Sequence, residues 1–324
     1  MNGELKLSGF AKYAWFVLAY NILVILWGAF LRASLSGDGC GEYWLTCGGE
    51  IVPSAPQFKT IIEFSHRLST GLSFFAVLLL FVWAFRKFAQ GDWVRRMALA
   101  SFVFIVVEAL IGAGLVLTGN TAGNWTASRP FWTMAHLVTT FSLLAALTLT
   151  SWFAGGGKPF IFQIPRKILI LLAIAVAGIF LIGMSGSIAA LSTMLLPKAS
   201  LSEEFAKDFA GTSHILQRLR ISHPILSISV GVYLVFLAGW LKSQALENAR
   251  VGRWADILCI LVLIQFASGA ITLFTHAPIL MQITHLFLAD LLWITFILLS
   301  ANVLTEHSAG EKSLSVSEFQ SAIN

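Results

Sequence analysis

The sequence predicts an all-α membrane protein with eight transmembrane helices, arranged as two tandem four-helix bundles that are related by a pseudo-two-fold axis as a parallel repeat. Hydrophobic residues make up 57% of the chain and charged residues only 11%, with a mean hydropathy of +0.81. So little charge cannot cover a soluble protein of this length. The chain also contains apolar runs long enough to cross a hydrocarbon core of about 30 Å. They lie near residues 13–31, 61–85, 97–117, 131–153, 168–191, 217–240, 255–275 and 280–302.

Basic residues in the short loops predict the orientation of these helices. The loop at 86–96 carries four Lys or Arg residues, and the two later loops on the same side carry three each. The opposite loop at 118–130 has Arg129 alone, and the loop at 276–279 has neither Lys nor Arg. Because basic loops stay in the cytoplasm, both termini are expected there. The same bias accounts for the net charge of +5, and no basic stripe with interleaved aromatic residues predicts a nucleic-acid partner.

The two predicted halves carry matching residues at a fixed spacing. Segment 106–117 aligns with segment 263–274, with an offset of 157 residues. The alignment pairs His66 with His223, Glu108 with Gln265, Gly112 with Gly269 and, at an offset of 149, His136 with His285. We therefore predict an N-terminal half at residues 1–155 and a C-terminal half at residues 156–324, with a polar tail from about residue 304. Each half has an even number of spans, so both copies have the same orientation.

Four histidines share one depth in the predicted membrane. His66, His136, His223 and His285 stand at the outer ends of the second, fourth, sixth and eighth helices, about 7–8 Å below the interface at a rise of about 1.5 Å per residue. Two histidines on facing helices of a four-helix bundle commonly hold a haem iron, one on each face of the porphyrin. Each could instead be a packed imidazole, and zinc is disfavoured because no cysteine or carboxylate triad stands nearby. The matched positions in both halves favour haem.

Two cysteines stand in the first outer loop, GDGCGEYWLTCGG (37–49). Cys40 and Cys47 lie on the oxidising side of the membrane, where disulfides persist. The loop offers no histidine for a metal pair, so we expect a disulfide rather than free thiols or a metal site. Cys259 lies inside the seventh apolar run and is expected to be a packed thiol.

Three features together resemble the haem A synthases, the membrane enzymes that make the haem A of terminal oxidases. They are the segment WGAFLRASLSGDGCGEYWLTCGG (27–49), the segment EFSHR (63–67) and the paired histidines at the heads of helices two, four, six and eight. The first segment carries the pattern of the family's first outer loop, which is Gly28, Arg32, Gly37, Cys40, Trp44 and Cys47. The resemblance covers roughly residues 13–302.

The resemblance implies an activity and the residues that perform it. The family reaction converts the C8 methyl group of haem O to the formyl group of haem A by successive oxygenation, in the biosynthesis of the cytochrome oxidase cofactor. It implies catalytic roles for Glu63, His66 and His136 toward the substrate haem, and a haem b ligated by His223 and His285. The second haem is thought to relay electrons. The disulfide between the two outer-loop cysteines is also a family feature.

The same resemblance implies partners and a location. Haem O would be delivered by a haem O synthase, molecular oxygen would be the oxidant, and a donor that the sequence does not identify would supply electrons. We expect a multi-pass protein embedded in the lipid bilayer of a bacterial-type plasma (inner) membrane, with both termini cytoplasmic. The sequence does not decide whether the protein forms a homo-oligomer, and no nucleic-acid partner is expected.

Charged residues beside the predicted iron ligands have two interpretations each. Glu63 and His66 are spaced i, i+3 and share a helix face, so the carboxyl can accept a proton, position water or offset positive charge. Alternatively, Glu63 is an interfacial residue that reaches water. Arg67 pairs with a haem propionate or reaches the lipid headgroups. Arg218 and Arg220 suit the same propionate role in the second half, with snorkelling to the interface as the alternative.

The sequence departs from the family pattern at several positions. The second half reads SHP rather than SHR, and the outer loop at 192–213 lacks the second cysteine pair that many relatives carry. Glu108 stands where relatives often have glutamine. We expect it to be protonated and hydrogen-bonded to a neighbouring helix rather than to serve as a proton site near the substrate. His214 and His276 lie in outer loops, where solvation is expected, although either is placed to touch a bound group.

Two other classes of protein share some of these features. A di-haem b-type electron-transfer cytochrome would need the four histidines but not Glu63. A membrane transporter would suit a parallel repeat with charged groups inside the membrane, but it leaves the matched histidines unexplained. Only the first half has the carboxylate, the arginine and the disulfide loop, so two halves with different tasks are favoured. The oxidase is therefore our prediction.

Overall fold

The computed structural model describes residues 7–160, 164–196, 203, 206, 209–245 and 248–321, with side chains as far as Thr305. Its helices are α1 Gly9–Ala33, α2 Phe58–Lys87, α3 Trp93–Leu117, α4 Arg129–Ala154, α5 Arg166–Leu195, α6 Ile215–Arg220, α7 Ser222–Gln244, α8 Ala249–Phe274 and α9 Ile279–Ser321. Eight helical spans in the described ranges are long and apolar enough to cross a membrane, with α6 and α7 forming one of them. The predicted all-α class and its eight spans are confirmed. The backbone of α9 continues as a helix beyond residue 304, where the sequence predicts a polar tail.

Polar residues at the helix ends explain where several helices begin. The Ser8 side chain accepts a hydrogen bond from the backbone N–H of Ala11 at the start of α1. Asp92 does the same for Val94 at the start of α3. Such caps satisfy backbone donors that have no partner inside the helix. The helices therefore extend a few residues beyond the apolar runs that predict them.

The sixth predicted span is divided by a break before His223. The sequence predicts one helix at 217–240, whereas α6 ends at Arg220 and α7 begins at Ser222. Pro224 has no backbone N–H, so it cannot bond to the carbonyl of Arg220 four residues earlier. The break places His223 in the first turn of α7.

The helices pack as a ring of four followed by a second group of four spans. α1 and α3 both contact α2 and α4, which closes the ring. In the second group α7 packs against α5 and α8, and α8 packs against α9. The two groups meet where α4 contacts α5 and α9, and where α1 contacts α9. The equivalence of the two groups as a tandem repeat, with a boundary between residues 155 and 156, stays a prediction.

α4 and α9 are the most buried spans of the described protein. Trp293 of α9 donates an indole hydrogen bond to the carbonyl of Phe141 in α4 (2.7 Å), and the two rings stack with centroids 5.8 Å apart. Phe180 of α5 packs edge-on against the same indole. This aromatic cluster fixes α9 relative to α4, and with them His136 and His285.

Candidate functional site

The structure places the four predicted histidines as two pairs, each within the first nine residues of its helix. His223 of α7 and His285 of α9 have ring centroids 6.3 Å apart and ring planes at 89°. His66 of α2 and His136 of α4 lie close enough for electrostatic interaction. Each group of helices therefore brings two imidazoles together. We call the N-terminal pair the first pair and the other the second pair.

Each histidine of the second pair contacts a Ser-Gly dipeptide on a neighbouring helix. The Oγ of Ser185 lies 3.2 Å from Nδ1 of His223, and the Oγ of Ser268 lies 3.3 Å from Nδ1 of His285. The glycine that follows each serine lets the helix approach the ring, since a Cβ on Gly186 would lie 3.0 Å from Cε1 of His223. A hydroxyl at Nδ1 leaves Nε2 to face a metal, although Nε2 of His285 also lies 3.3 Å from the amide nitrogen of Gln265.

The first pair has different surroundings at Nδ1. Nδ1 of His136 lies 2.9 Å from Oε1 of Glu108, although the N–H is not aligned for a linear hydrogen bond. Thr139 and Thr140 of α4 donate hydroxyl hydrogen bonds to the two oxygens of the same carboxylate. The expected bond between Glu108 and a neighbouring helix is thereby confirmed. Nδ1 of His66 is buried without a hydrogen-bond partner in the part of the chain that the structure describes.

This donor set fits a haem iron. The 6.3 Å between the ring centroids of His223 and His285 is a gap that one metal atom can span at about 2.0–2.1 Å per metal–nitrogen bond. Near the first pair, a Cβ on Gly28 would lie 2.8 Å from Cε1 of His66, so α1 can pack on that ring only through glycine. Within the described ranges no group of three or more His, Cys, Asp or Glu side chains could hold a metal ion. Two imidazoles suit an iron that already has four porphyrin nitrogens.

Glu63 lies at the start of α2 and is only 3% exposed. Its Oε2 accepts a hydrogen bond from the backbone N–H of Cys40 (2.8 Å), and its Oε1 forms an ion pair with Arg67. The guanidinium of Arg67 also donates to two backbone carbonyls of the outer loop at 34–57. These contacts fasten the loop to the helix that carries His66.

The predicted disulfide between Cys40 and Cys47 is present. The loop that it closes sits directly on the first turn of α2. The Thr60 hydroxyl donates to the carbonyl of Gly39 (2.8 Å), and a Cβ on Gly39 would lie 2.4 Å from the backbone of Lys59. Only glycine allows this close approach.

The model of the COX15-CtaA family, described as cytochrome oxidase assembly protein, matches residues 11–297. The chain belongs to this family. A protein of Thermus thermophilus that is named protoheme IX farnesyltransferase is 41% identical over 317 residues, which are 98% of this chain and 52% of that protein. The chain thus spans about half the length of the Thermus relatives that it matches.

Some of the proteins named heme A synthase match along most of their own length. The one from Halalkalibacterium halodurans is 27% identical and covers 85% of this chain and 90% of itself. The one from Geobacillus kaustophilus is 26% identical and covers 92% of this chain and 96% of itself. The resemblance to the haem A synthase family is confirmed. Together with the eight apolar spans, it makes this COX15-CtaA chain a multi-pass membrane protein.

The two loop histidines of this COX15-CtaA chain have structural contacts. Nδ1 of His214 accepts a hydrogen bond from the backbone N–H of Leu216 (3.2 Å), which caps α6. Its ring packs edge-on against Trp125, with centroids 4.5 Å apart. His214 is half-buried, so the expected solvation of this loop residue is only partial, because a cap and an aromatic neighbour hold it. His276 lies in the turn between α8 and α9 with a φ of 57°.

The sequence analysis assigned no task to two arginines, Arg129 and Arg32, whose surroundings the structure shows. Arg129 is 4% exposed and donates to backbone carbonyls of the loop before α4, so its guanidinium holds that loop. Arg32 makes no guanidinium hydrogen bond to the described residues, and its charge acts on both Arg129 and His136. Of the two arginines predicted for the second half, Arg218 is exposed in α6 and Arg220 is the last residue of that helix.

Sequence reasoning also missed three polar residues inside the spans. Ser185 and Ser268 look like small packing residues of apolar helices, and the available signal was that each precedes a glycine. Asp290 is the only acidic residue in the run at 280–302. It is fully buried, and its oxygens have no hydrogen-bond partner among the described residues. An ionisable side chain at that depth marks a functional candidate by default.

Proposed function

We propose that the chain is a haem A synthase, which oxidises the C8 methyl group of haem O to a formyl group in the biosynthesis of the cytochrome oxidase cofactor. The observation that carries the proposal is the contrast between the histidine pairs. The second pair has a hydroxyl at each Nδ1, whereas the first has one carboxylate and one bare nitrogen. Both pairs offer two imidazoles, but the groups around those imidazoles differ, which suits two haem sites with different tasks. The heme A synthases among the relatives support this assignment.

The proposed reaction is two successive oxygenations of one methyl group. Each consumes one O2, two electrons and two protons, adds one oxygen atom to the carbon and releases the other as water. The hydrated aldehyde that results loses water to give the formyl group. The electrons come from a donor outside the chain.

In this proposal His66 and His136 bind the substrate haem. His223 and His285 hold a haem b, which when bound supplies one-electron transfer. The contacts at Nδ1 orient the rings and leave Nε2 for the ligand. Glu63 is proposed to act in the oxidation, and its hydrogen bonds give it the further task of holding the outer loop on α2.

Cations near the two sites are proposed to bind the haem propionates. Arg218 and Arg220 serve the second pair. Arg67 is a predicted partner as well, but it shares its guanidinium with a carboxylate and with loop carbonyls. We add Arg32 for the first pair, because its guanidinium makes no hydrogen bond to the described residues and its charge acts on His136.

Haem O is proposed to come from a haem O synthase in the same membrane. The Thermus relative supports this by its name, protoheme IX farnesyltransferase, and by its length of about twice the matched segment. The proposed location is a bacterial plasma membrane with both termini in the cytoplasm, as the basic loops indicate.

Coexpression of the full chain with a haem O source, followed by mass analysis of the extracted haems, tests the activity. A formyl product is expected, whereas haem b alone would favour the di-haem cytochrome instead. In the purified protein, His285→Ala is expected to abolish the low-spin b-type spectrum. His307→Ala, in the polar tail, is the control that should keep it. An unchanged spectrum in His285→Ala would refute the ligand assignment.

A further inference from the structure

The first histidine pair is asymmetric in a way that the second is not. His223 and His285 each have a serine hydroxyl near Nδ1, so their surroundings at that nitrogen are alike. His136 has a carboxylate at that nitrogen, while Nδ1 of His66 is buried with no partner in the described part of the chain. A ligand imidazole whose N–H faces a carboxylate becomes a stronger donor at its other nitrogen. The two histidines of the first pair are therefore unequal donors.

Glu108 is held in place for its contact with His136. The hydroxyls of Thr139 and Thr140 bond to its two oxygens, and both threonines lie one turn from His136 on the same helix. The Glu108 side chain is only 16% exposed. Two hydroxyls thus donate to one carboxylate, which accepts both bonds, and Nδ1 of His136 lies 2.9 Å from the same group. The carboxylate cannot move away from the imidazole without giving up the threonines.

The aligned position in the second half has a different contact. Gln265 aligns with Glu108, but its amide donates to the backbone carbonyl of His285 (3.1 Å) and lies 3.3 Å from Nε2 of that ring. Nδ1 of His285 is left to Ser268. The residue aligned with Ser268 is Ile111, which has no polar group. The first half therefore lacks the hydroxyl, and a carboxylate one turn earlier takes its place.

We propose that Glu108 is a positioning residue that would make His136 a stronger ligand than His66 to a haem iron bound by the first pair, so that ligand exchange would take place on the His66 side. This inference rests on the proposed function, because it requires a haem between these histidines. Glu108 acts only through the imidazole of His136. The exchanging side is then that of α2, whose first turns also carry Glu63.

The substitution Glu108→Gln tests the charge at nearly constant volume. The measured quantity is the midpoint potential of the first-pair haem in the full chain with protohaem bound. It is expected to rise in the variant, because the carboxylate of Glu108 stabilises ferric iron more than ferrous iron and the variant lacks it. Outer-shell partners change metal affinity by about 10–100-fold, and each tenfold change specific to the ferric state corresponds to about 59 mV for a one-electron couple. Ser268→Ala is the matched control, which should shift the potential of the second-pair haem alone.

Each outcome of the Glu108 substitutions either supports or overturns the proposal. A first-pair potential that does not move in Glu108→Gln, with haem still bound, overturns the proposal. If that variant no longer retains haem, Glu108→Asp separates the causes. If Glu108→Asp retains haem, the charge at this position is needed, which supports the proposal. If both variants lose haem, Glu108 is needed for packing, which overturns the proposal.

Resonance Raman spectra of the ferrous protein provide a second readout. His66→Ala is expected to retain a five-coordinate first-pair haem, while His136→Ala is expected to lose it. Equal retention in the two variants would overturn the order of the ligands. Neither readout requires haem A to be made. Failure of the proposed function, seen as an absent formyl product, is therefore distinguishable from failure of this inference.

Discussion

Replacing Glu63 by alanine is expected to release the outer loop from α2. The variant leaves the Arg67 side chain, which is 19% exposed, without its carboxylate, and the backbone N–H of Cys40 without its acceptor. Removing one partner of a buried ion pair costs about 3–5 kcal/mol, and an unsatisfied buried donor costs about 1–3 kcal/mol. The two costs overlap, and Arg67 keeps its bonds to loop carbonyls. The expected cost therefore lies near the lower end, at about 3 kcal/mol.

Hydrogen exchange of the loop measures this cost directly. At about 1.4 kcal/mol per factor of ten, a loss of about 3 kcal/mol makes local opening about 100-fold more frequent. The readout is deuterium uptake by peptides from residues 36–50 in the detergent-solubilised protein. Asp38→Ala is the control, because it removes a half-exposed ion pair between the same loop and Lys59 of α2, worth less than about 1 kcal/mol. If Glu63→Ala exchanges no faster than this control, Glu63 does not hold the loop.

Two further substitutions test the packing around the site. Gly28→Ala would place a Cβ 2.8 Å from Cε1 of His66, so the ring must shift and protohaem binding at the first pair should weaken at least about tenfold. Gly112→Ala, where a Cβ meets nothing within 4 Å, should bind protohaem like the unaltered protein, and equal titrations of the two variants would contradict the argument. Trp293→Phe removes the indole hydrogen bond to the Phe141 carbonyl, which should cost about 1–3 kcal/mol and lower the Tm in detergent. An unchanged Tm would show that the contact between α4 and α9 does not depend on this bond.

The eight spans were predictable from composition, because hydrocarbon requires long and nearly uniform apolar segments. The break between α6 and α7 was not found in this way. Hydropathy counts Pro224 as one more neutral residue, whereas its effect comes from a missing N–H at the fourth position after Arg220. The proline that causes the break is visible in the sequence, but hydropathy, the property that located the span, does not register it.

The histidines of the site were predictable because the repeat displays them twice, but the contacts at their Nδ1 atoms were not. Ser185 and Ser268 stand among many serines, and only the packing of neighbouring helices selects them. Glu63 shows the same limit, since its i, i+3 spacing places it on the face of His66. The structure then folds the N–H of Cys40, 23 residues away, onto its carboxylate. The spacing of residues along a helix determines which face a side chain lies on. Which distant loop packs against that face depends on the tertiary structure.

The buried contact between α4 and α9 bears on how the chain matures during membrane insertion. A nascent chain that ends after α4 would expose to lipid the surface that later receives α9. The reverse fragment would leave the indole N–H of Trp293 without its acceptor in Phe141, and an unsatisfied polar group costs several kcal/mol in hydrocarbon. The two halves that the sequence predicts are therefore not expected to be autonomous modules. The second four spans complete the first, and fragments expressed separately should accumulate only when both are present.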